Sequence, residues 1–127
     1  MKYTSTRNAS QVYTFEEALF SGYAPDGGLF VPVQLPDFFS SVPKNVLLKE
    51  WANLGYQDLA TEILHPFIGQ NEISKQDLGN LLERALSGFD ESDENKVPVI
   101  PLTREDDKSV ECYVAELFHG PTYCFKV

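Results

Sequence analysis

The chain has 127 residues and a mass of 14.3 kDa, a length that suits one compact domain and is short for a two-domain cofactor enzyme. Hydrophobic residues make up 43% and charged residues 23%, which excludes a disordered or collagen-like chain. The formal net charge of -9 predicts that nucleic acid and anionic membranes are not partners, because both would repel the chain. No apolar run approaches the roughly 20 residues of a membrane span, and residues 1–10 lack a signal peptide's apolar stretch, so we expect a cytoplasmic protein.

The amino-terminal quarter predicts a helix, a turn and a strand. Thr14-Phe-Glu-Glu17 places a hydroxyl three residues ahead of a carboxylate, the spacing of a reciprocal helix cap, and Gly22 can close the helix that follows. The cluster Tyr23-Ala-Pro-Asp-Gly-Gly28 predicts a tight turn. A strand is expected over residues 29–31, and it should be short or at a sheet edge because Pro32 and Pro36 cannot donate ladder hydrogen bonds.

Three further helices are predicted from apolar residues that recur every three to four positions. The first starts near Asn45 and is interrupted at Gly55, and the second is limited by Pro66. Ser74 is a capping residue for the third, which carries a single apolar stripe made of Leu78, Leu81, Leu82 and Ala85.

The carboxyl-terminal third predicts a loop and a hairpin. Residues 88–95 are acidic and nearly devoid of apolar side chains, which indicates a solvated loop or a boundary; a calcium loop is disfavoured because the required glycine and terminal glutamate are missing. Residues 97–102 and 110–117 are two β-like runs that can pair as a hairpin.

The last eleven residues are the first candidate site, because they run from a strand into a glycine-proline turn, where open α/β sheets place ligands. If Thr122 caps a new helix, Lys126 falls near its first turn, and the helix dipole would lower the lysine pKa. Desolvation by Tyr123 and Phe125 would act in the same direction, and a neutral amine is what Schiff-base chemistry requires. The alternative is an ordinary solvated lysine.

A second candidate site pairs Cys124 or Cys112 with His119, as a thiolate nucleophile or a metal site. Zinc requires three or four ligands, and His65 is the other histidine, in a helical context. Cys112 alternates with valines, which predicts a buried strand residue. No metal site is therefore expected, and both cysteines are predicted to be free thiols.

Five ordered segments resemble the threonine synthase family. They are Ser5-Thr-Arg7, Phe15-Glu-Glu-Ala18, Gly22-Tyr-Ala-Pro-Asp-Gly-Gly-Leu-Phe-Val-Pro32, Glu116-Leu-Phe118 and His119-Gly-Pro-Thr-Tyr-Cys-Phe-Lys126. The first three form an amino-terminal motif and the last two a carboxyl-terminal motif, and two ordered motifs about a hundred residues apart are much more specific than either alone. The resemblance covers the whole chain and is closest to the fungal and other eukaryotic members.

The resemblance implies a pyridoxal-phosphate enzyme that converts O-phosphohomoserine and water into threonine and phosphate. Lys126 would hold the cofactor as a Schiff base and then act as proton shuttle, while the cofactor serves as electron sink. Thr122 and His119 would bind the cofactor from the same loop. The segment from Asp26 to Phe30 either lies near the active site or is simply a turn that leads into an edge strand.

In fold class, the resemblance implies an α+β or α/β chain that is the amino-terminal domain of a fold-type II pyridoxal-phosphate enzyme. Short helices and a small sheet come first, and the chain is truncated before the main parallel sheet. Residues 1–96 would form the amino-terminal threonine-synthase domain, and residues 97–127 the start of the cofactor-binding domain. The chain departs from the family at Asn8, where glycine is usual, at Cys124, where a small residue is usual, and at Val127, where an aspartate is usual.

Because the segments beyond the cofactor lysine are missing, we expect the 127 residues alone to be inactive. The alternative is a stand-alone, non-catalytic interaction module or a truncated gene product. In either case residues 97–127 would expose a strand edge and apolar side chains, which predicts self-association.

Overall fold

The computed structural model describes residues 1–69, 71–89, 96–103 and 110–124. The elements in chain order are β1 (Tyr3–Ser5), α1 (Phe15–Ser21), β2 (Phe30–Pro32), α2 (Lys44–Trp51), α3 (Tyr56–Leu64), a 3-10 turn (His65–Phe67), α4 (Lys75–Leu86), β3 (Val99–Thr103) and β4 (Val110–Ala115). The α+β prediction is confirmed. Within these ranges, every helix is too short or too polar to span a bilayer.

Helix α1 begins with the predicted capping box. Thr14 Oγ1 accepts a hydrogen bond from the Glu17 amide at 3.1 Å, and the Thr14 amide donates to Glu17 Oε2 at 2.7 Å. These bonds satisfy amides that no helical carbonyl can reach. Gly22 follows the helix with φ of 69°, a left-handed value that glycine adopts without a Cβ clash. The predicted beginning and end of this helix are confirmed.

Strand β2 pairs antiparallel with β1, which the sequence did not predict. Tyr3 lies opposite Pro32 and Ser5 opposite Phe30, so Pro32 occupies the last position of a short edge pairing. Tyr3 also exchanges two backbone hydrogen bonds with Tyr13, at 2.9 and 2.8 Å. A strand of three residues is too short to show an alternation of apolar and polar side chains. Its conformation is therefore determined by the strand with which it pairs.

The remaining helices match the predicted signals. α2 ends before the predicted break, Gly55 becomes the N-cap of α3, and Pro66 lies in the 3-10 turn. Ser74 Oγ accepts a hydrogen bond from the Asp77 amide at 3.1 Å and caps α4. Of the predicted apolar stripe of α4, Leu78 is buried whereas Leu81 is 47% exposed.

The buried interior of the described residues is small. Its buried apolar side chains are Ala24, Ile68 and Leu78. α3 and α4 are joined by a hydrogen bond from Gln57 Nε2 to the Gly79 carbonyl at 3.1 Å. Tyr3 links the sheet to the 3-10 turn, because its hydroxyl donates to the Phe67 carbonyl at 2.7 Å.

The predicted hairpin is confirmed as the antiparallel pair β3–β4, with a register shift between Leu102 and Thr103. Its described side chains are exposed on both faces, and Tyr113 is 66% exposed. Cys112 is also exposed, so the prediction of a buried cysteine was wrong. Alternation indicates which face of a strand a residue lies on, whereas burial requires a second layer over that face. The acidic stretch 90–95 and the hairpin connection 104–109 lie outside the described residues.

Candidate active site

Two of the three predicted site residues, His119 and Thr122, lie in the segment that follows β4. We call residues 116–124 the post-hairpin segment. Lys126 lies outside the described residues, as does Phe125. The geometry of the site is therefore that of the nine residues of the post-hairpin segment and of their neighbours.

The post-hairpin segment is attached to the hairpin at its first residue. The Glu116 amide donates to the Pro98 carbonyl at 2.9 Å, which extends the β3–β4 pairing by one bond. At the end of α4, the ring of Pro121 lies beside Gly88, where a Cβ would be 3.6 Å from Pro121 Cγ. The segment therefore leaves the hairpin at a fixed point and passes over the carboxyl end of α4.

The side chain of His119 contacts two others of this segment, Glu116 and Phe118. Its Nε2 lies 2.8 Å from Glu116 Oε2, and the two side chains are 18% and 29% exposed. Its ring stacks on Phe118 with centroids 4.7 Å apart and planes 25° apart. Glu116 and Phe118 both lie in a segment that resembles the family. The spacing in the sequence, however, did not identify Glu116 as a hydrogen-bond partner of His119.

A reversing turn follows His119. Gly120 is buried, and its carbonyl accepts a hydrogen bond from the Tyr123 amide at 3.0 Å. Tyr123 has φ of 52°, outside the right-handed helical region. No helix begins at Thr122 as far as residue 124, so the condition on which the helix-dipole argument for a lowered lysine pKa depended is not met there. Thr122 lies exposed in this turn.

The chemistry of the post-hairpin segment fits a pyridoxal-phosphate site. An imidazole and a hydroxyl are placed at the turn, and a primary amine, Lys126, follows in the sequence. An amine is required to bind the aldehyde of the cofactor, and the two other groups can hydrogen-bond to its ring substituents or phosphate. His119, Thr122 and Lys126 are the residues that would hold it.

Two of the other family segments, Ser5–Arg7 and Gly22–Pro32, meet at what we call the amino-terminal corner, made of Ser5, Arg7, Asp26 and Gly28. Ser5 Oγ donates to Asp26 Oδ1 at 2.7 Å, and the Gly28 amide donates to the same oxygen at 2.9 Å. These two bonds hold the pKa of Asp26 below its usual value, the Ser5 hydroxyl being the larger cause. Arg7 Nη1 donates to the Asp26 carbonyl at 3.0 Å.

In the amino-terminal corner, the carboxylate of Asp26 accepts the hydrogen bonds that stabilise the turn before β2. A Cβ at Gly28 would overlap Ser5 Oγ, so only glycine fits where the turn enters β2. The segment from Asp26 to Phe30 forms a turn that leads into the edge strand β2, and its proximity to the active site stays a prediction. The sequence signal for this arrangement was the Asp-Gly-Gly cluster, but its partner Ser5 could not be identified from spacing.

The geometry gives the cysteine–histidine alternative no support. Cys112 and Cys124 are exposed free thiols, and His119 is paired with Glu116. Over the ranges that the structure describes, no three His, Cys, Asp or Glu side chains are grouped so that they could hold a metal ion.

Comparison with known proteins gives consistent matches along the chain. The family described as threonine synthase N terminus matches residues 2–86. Threonine synthase of Saccharomyces cerevisiae is 42% identical over 125 residues, which is 98% of this chain and 23% of the yeast protein. A mouse protein named threonine synthase-like 2 is 40% identical over 126 residues, 99% of this chain and 23% of its own length.

Solved structures agree with the sequence matches. The crystal structure of threonine synthase from yeast superposes with a TM-score of 0.80 at 41% identity, over 98% of this chain and 23% of that one. The crystal structure of PLP-bound threonine synthase from Brucella melitensis gives a TM-score of 0.78 at 33% identity, over 99% and 24%. The chain thus spans about a quarter of the length of the relatives it matches.

Proposed function

The chain belongs to the threonine synthase N-terminus family, and on this premise we propose that it is the amino-terminal part of a threonine synthase. The reaction would be the conversion of O-phosphohomoserine and water into L-threonine and phosphate, in threonine biosynthesis. The observation that carries the proposal is that nearly the whole chain matches yeast threonine synthase in both sequence and structure. The enzyme class would be that of pyridoxal-phosphate-dependent carbon-oxygen lyases acting on phosphates.

Lys126 is the cofactor-binding and catalytic residue of this proposal. Pyridoxal phosphate, when bound, supplies an electron sink that stabilises negative charge on substrate carbon atoms. Lys126 would hold the cofactor through its amine and would carry protons at Nζ. His119 and Thr122 bind the cofactor from the preceding turn, where the imidazole is held by Glu116.

The proposed boundary between the two structural units lies just after the acidic stretch 88–95. Residues 1–96 would form the amino-terminal domain, and residues 97–127 the start of the cofactor-binding domain. The hairpin supports this division, because it forms its own two-stranded sheet, separate from β1–β2. The 127 residues alone would be inactive, since they span about 23% of the length of the relatives.

The identity of the substrate has to be determined by an enzyme assay. Identity to a threonine synthase is 42% and to a threonine synthase-like 2 protein 40%, so overall similarity does not separate the two groups. Both O-phosphohomoserine and related phosphorylated amino acids carry the phosphate leaving group that the reaction requires. Release of threonine from O-phosphohomoserine is therefore the defining measurement.

The proposal is tested with a chimaera in which residues 1–127 replace the aligned opening segment of yeast threonine synthase. Growth of a yeast strain that lacks its own enzyme, without added threonine, is the expected result.

Borohydride reduction followed by peptide mass analysis should place the cofactor on Lys126. Lys126→Ala should abolish the absorption band of the protein-bound cofactor, whereas Lys49→Ala, on the exposed side of α2, should keep it. Cofactor trapped on another lysine, or a band that persists in Lys126→Ala, would contradict the assignment.

The exposed hairpin favours a second candidate function, a non-catalytic interaction module that self-associates. Apolar side chains cover both faces of β3 and β4, among them Val99 at 57%, Leu102 at 51% and Tyr113 at 66% exposure. Such surfaces mark interaction sites in soluble proteins. Sedimentation velocity on the 127-residue chain should show concentration-dependent association, reduced by Leu102→Thr with Tyr113→Ser. A monodisperse monomer with strong amide protection along the hairpin would contradict self-association.

The proposal includes a cytoplasmic location and no nucleic-acid or membrane partner, and the net charge of -9 supports the second of these points. Anionic phosphate backbones and headgroups would be repelled by this excess of carboxylates. Fractionation of cells that produce the natural protein is the direct measurement, and recovery of the protein with membranes or with nucleic acid would overturn this part of the proposal.

A further inference from the structure

Glu116 is placed so that it controls one side chain of the candidate site. Its amide is bound to the Pro98 carbonyl at 2.9 Å, so its backbone position is fixed by the hairpin. Its carboxylate oxygen Oε2 lies 2.8 Å from His119 Nε2. The position of the imidazole is therefore determined by the sheet, through Glu116, as well as by its own backbone.

The stacking of His119 on Phe118 fixes the plane of the ring. With planes 25° apart and centroids 4.7 Å apart, the phenyl ring limits rotation of the imidazole about its second side-chain bond. The hydrogen bond to Glu116 selects one of the two ring orientations that remain. At 18% exposure, the side chain is largely shielded from water, which would otherwise compete for that bond.

The hydrogen bond also decides which nitrogen carries the proton. An ionised carboxylate can only accept, so a neutral His119 must have its hydrogen on Nε2, and Nδ1 is left with a lone pair. The hydrogen bond that the described part of the chain makes to this ring is at Nε2. The ring therefore offers an acceptor to whatever lies next to it at the start of the turn that leads toward Lys126.

We propose that Glu116 is a positioning residue, which acts through His119 by holding Nδ1 as the acceptor that faces the cofactor or substrate. The inference rests on the proposed function for the identity of that group, but the pair of residues and the tautomer do not depend on it. Carboxylates that bind the second nitrogen of a functional histidine act in the same way at metal sites, where their loss costs roughly 10- to 100-fold.

The tautomer is tested on the 127-residue chain labelled with ¹⁵N-histidine. The chain has two histidines, so His65 is an internal control. At a pH where both rings are neutral, the ¹⁵N shifts should show the hydrogen of His119 on Nε2, and Glu116→Ala should convert His119 to a mixture of tautomers while His65 is unchanged. Glu116→Gln keeps an oxygen acceptor and should keep the tautomer. A hydrogen on Nδ1 in the unmodified chain, or the same spectrum in Glu116→Ala, would overturn the proposal.

The catalytic consequence is tested in the yeast chimaera. Glu116→Ala should lower kcat roughly 10- to 100-fold with a smaller change in KM, while the absorption band of the cofactor bound at Lys126 remains. Glu116→Gln should lie between the unmodified enzyme and the alanine variant, and Glu50→Ala, on the exposed surface of α2, should match the unmodified enzyme. An unchanged kcat in Glu116→Ala would refute the positioning role. If the proposed function were wrong, Lys126→Ala would keep the absorption band of the cofactor, whichever residue is present at position 116. This result distinguishes failure of the proposed function from failure of the positioning role.

Discussion

Ser5 Oγ and Asp26 Oδ1, which are 21 residues apart in the chain, are joined by a hydrogen bond of 2.7 Å. Both belong to segments that carry the family resemblance, and the bond joins strand β1 to the turn before β2. Ser5 is buried, and the same carboxylate oxygen also accepts from the Gly28 amide. These residues therefore determine the geometry of the amino-terminal corner.

The lack of space at Gly28 predicts that Gly28→Ala is destabilising. A Cβ there would overlap the Ser5 hydroxyl, and overpacking typically costs about 1–3 kcal/mol of the free energy of unfolding. Urea denaturation of the two chains measures the difference. Gly55→Ser is the matched control, because no atom lies within 4 Å of a Cβ at Gly55 and a serine can cap α3. Equal stability of Gly28→Ala and the unmodified chain would mean that the corner yields to a methyl group.

The depressed pKa of Asp26 predicts an acid-sensitive component of stability. Because the hydrogen bonds from Ser5 and Gly28 favour the ionised form, their contribution is present above the ordinary value of 3.8 and is lost as the pH falls through the folded-state pKa. The free energy of unfolding should therefore fall less on acidification in Asp26→Asn than in the unmodified chain. Parallel pH profiles of the two proteins would show that Asp26 titrates alike in the folded and unfolded states.

The capping box of α1 predicts a specific effect at Thr14. Thr14→Ala removes the acceptor of the Glu17 amide and should lower the free energy of unfolding by about 1 kcal/mol. Thr14→Ser keeps the acceptor and should be nearly neutral. Chemical denaturation measures both variants, and a loss of the same size in the serine variant would exclude the hydroxyl as the cause.

The contact of Tyr3 with the 3-10 turn predicts an alkaline limit to stability. Burial, with the nearby charge of Glu72 as the smaller cause, raises the pKa of Tyr3 above 10.0. The stabilisation by the neutral phenol is thus complete below that value and is lost as the pH rises through the folded-state pKa. In Glu72→Gln, the pKa of Tyr3 should decrease but stay above 10.0, because burial is the larger cause of its shift. Ultraviolet titration measures this pKa, and the signal that is lost in Tyr3→Phe identifies Tyr3.

The hydrogen bond of the same phenol can be tested separately. Tyr3→Phe leaves the Phe67 carbonyl without its 2.7 Å donor and should cost about 1 kcal/mol at neutral pH. Tyr23→Phe is a suitable control, because Tyr23 is 67% exposed and its loss of a hydroxyl should be close to neutral. A stable Tyr3→Phe variant would show that water replaces the phenol at that carbonyl.

Local signals in the sequence predicted most of the helical part of this fold. Thr14 with Glu17, Gly22 and Ser74 act over four residues or fewer, so their partners can be identified directly in the sequence. The hairpin was predicted for a similar reason, because its two apolar runs follow each other along the chain. The resemblance to the family also rested on these contiguous segments, and comparison with known proteins confirmed it.

The tertiary structure decided whatever depends on residues far apart or on a second layer. β1 exists because β2 lies beside it, Ser5 is paired because the turn brings Asp26 back to it, and Cys112 is exposed because no element covers its face among the described residues. The pairing of His119 with Glu116 is local in sequence, yet it depends on the path that the chain takes after β4. The sequence by itself thus determined the family and the local elements, since caps and turns are short-range interactions. Packing determined which polar groups meet, since that requires the three-dimensional path of the whole chain.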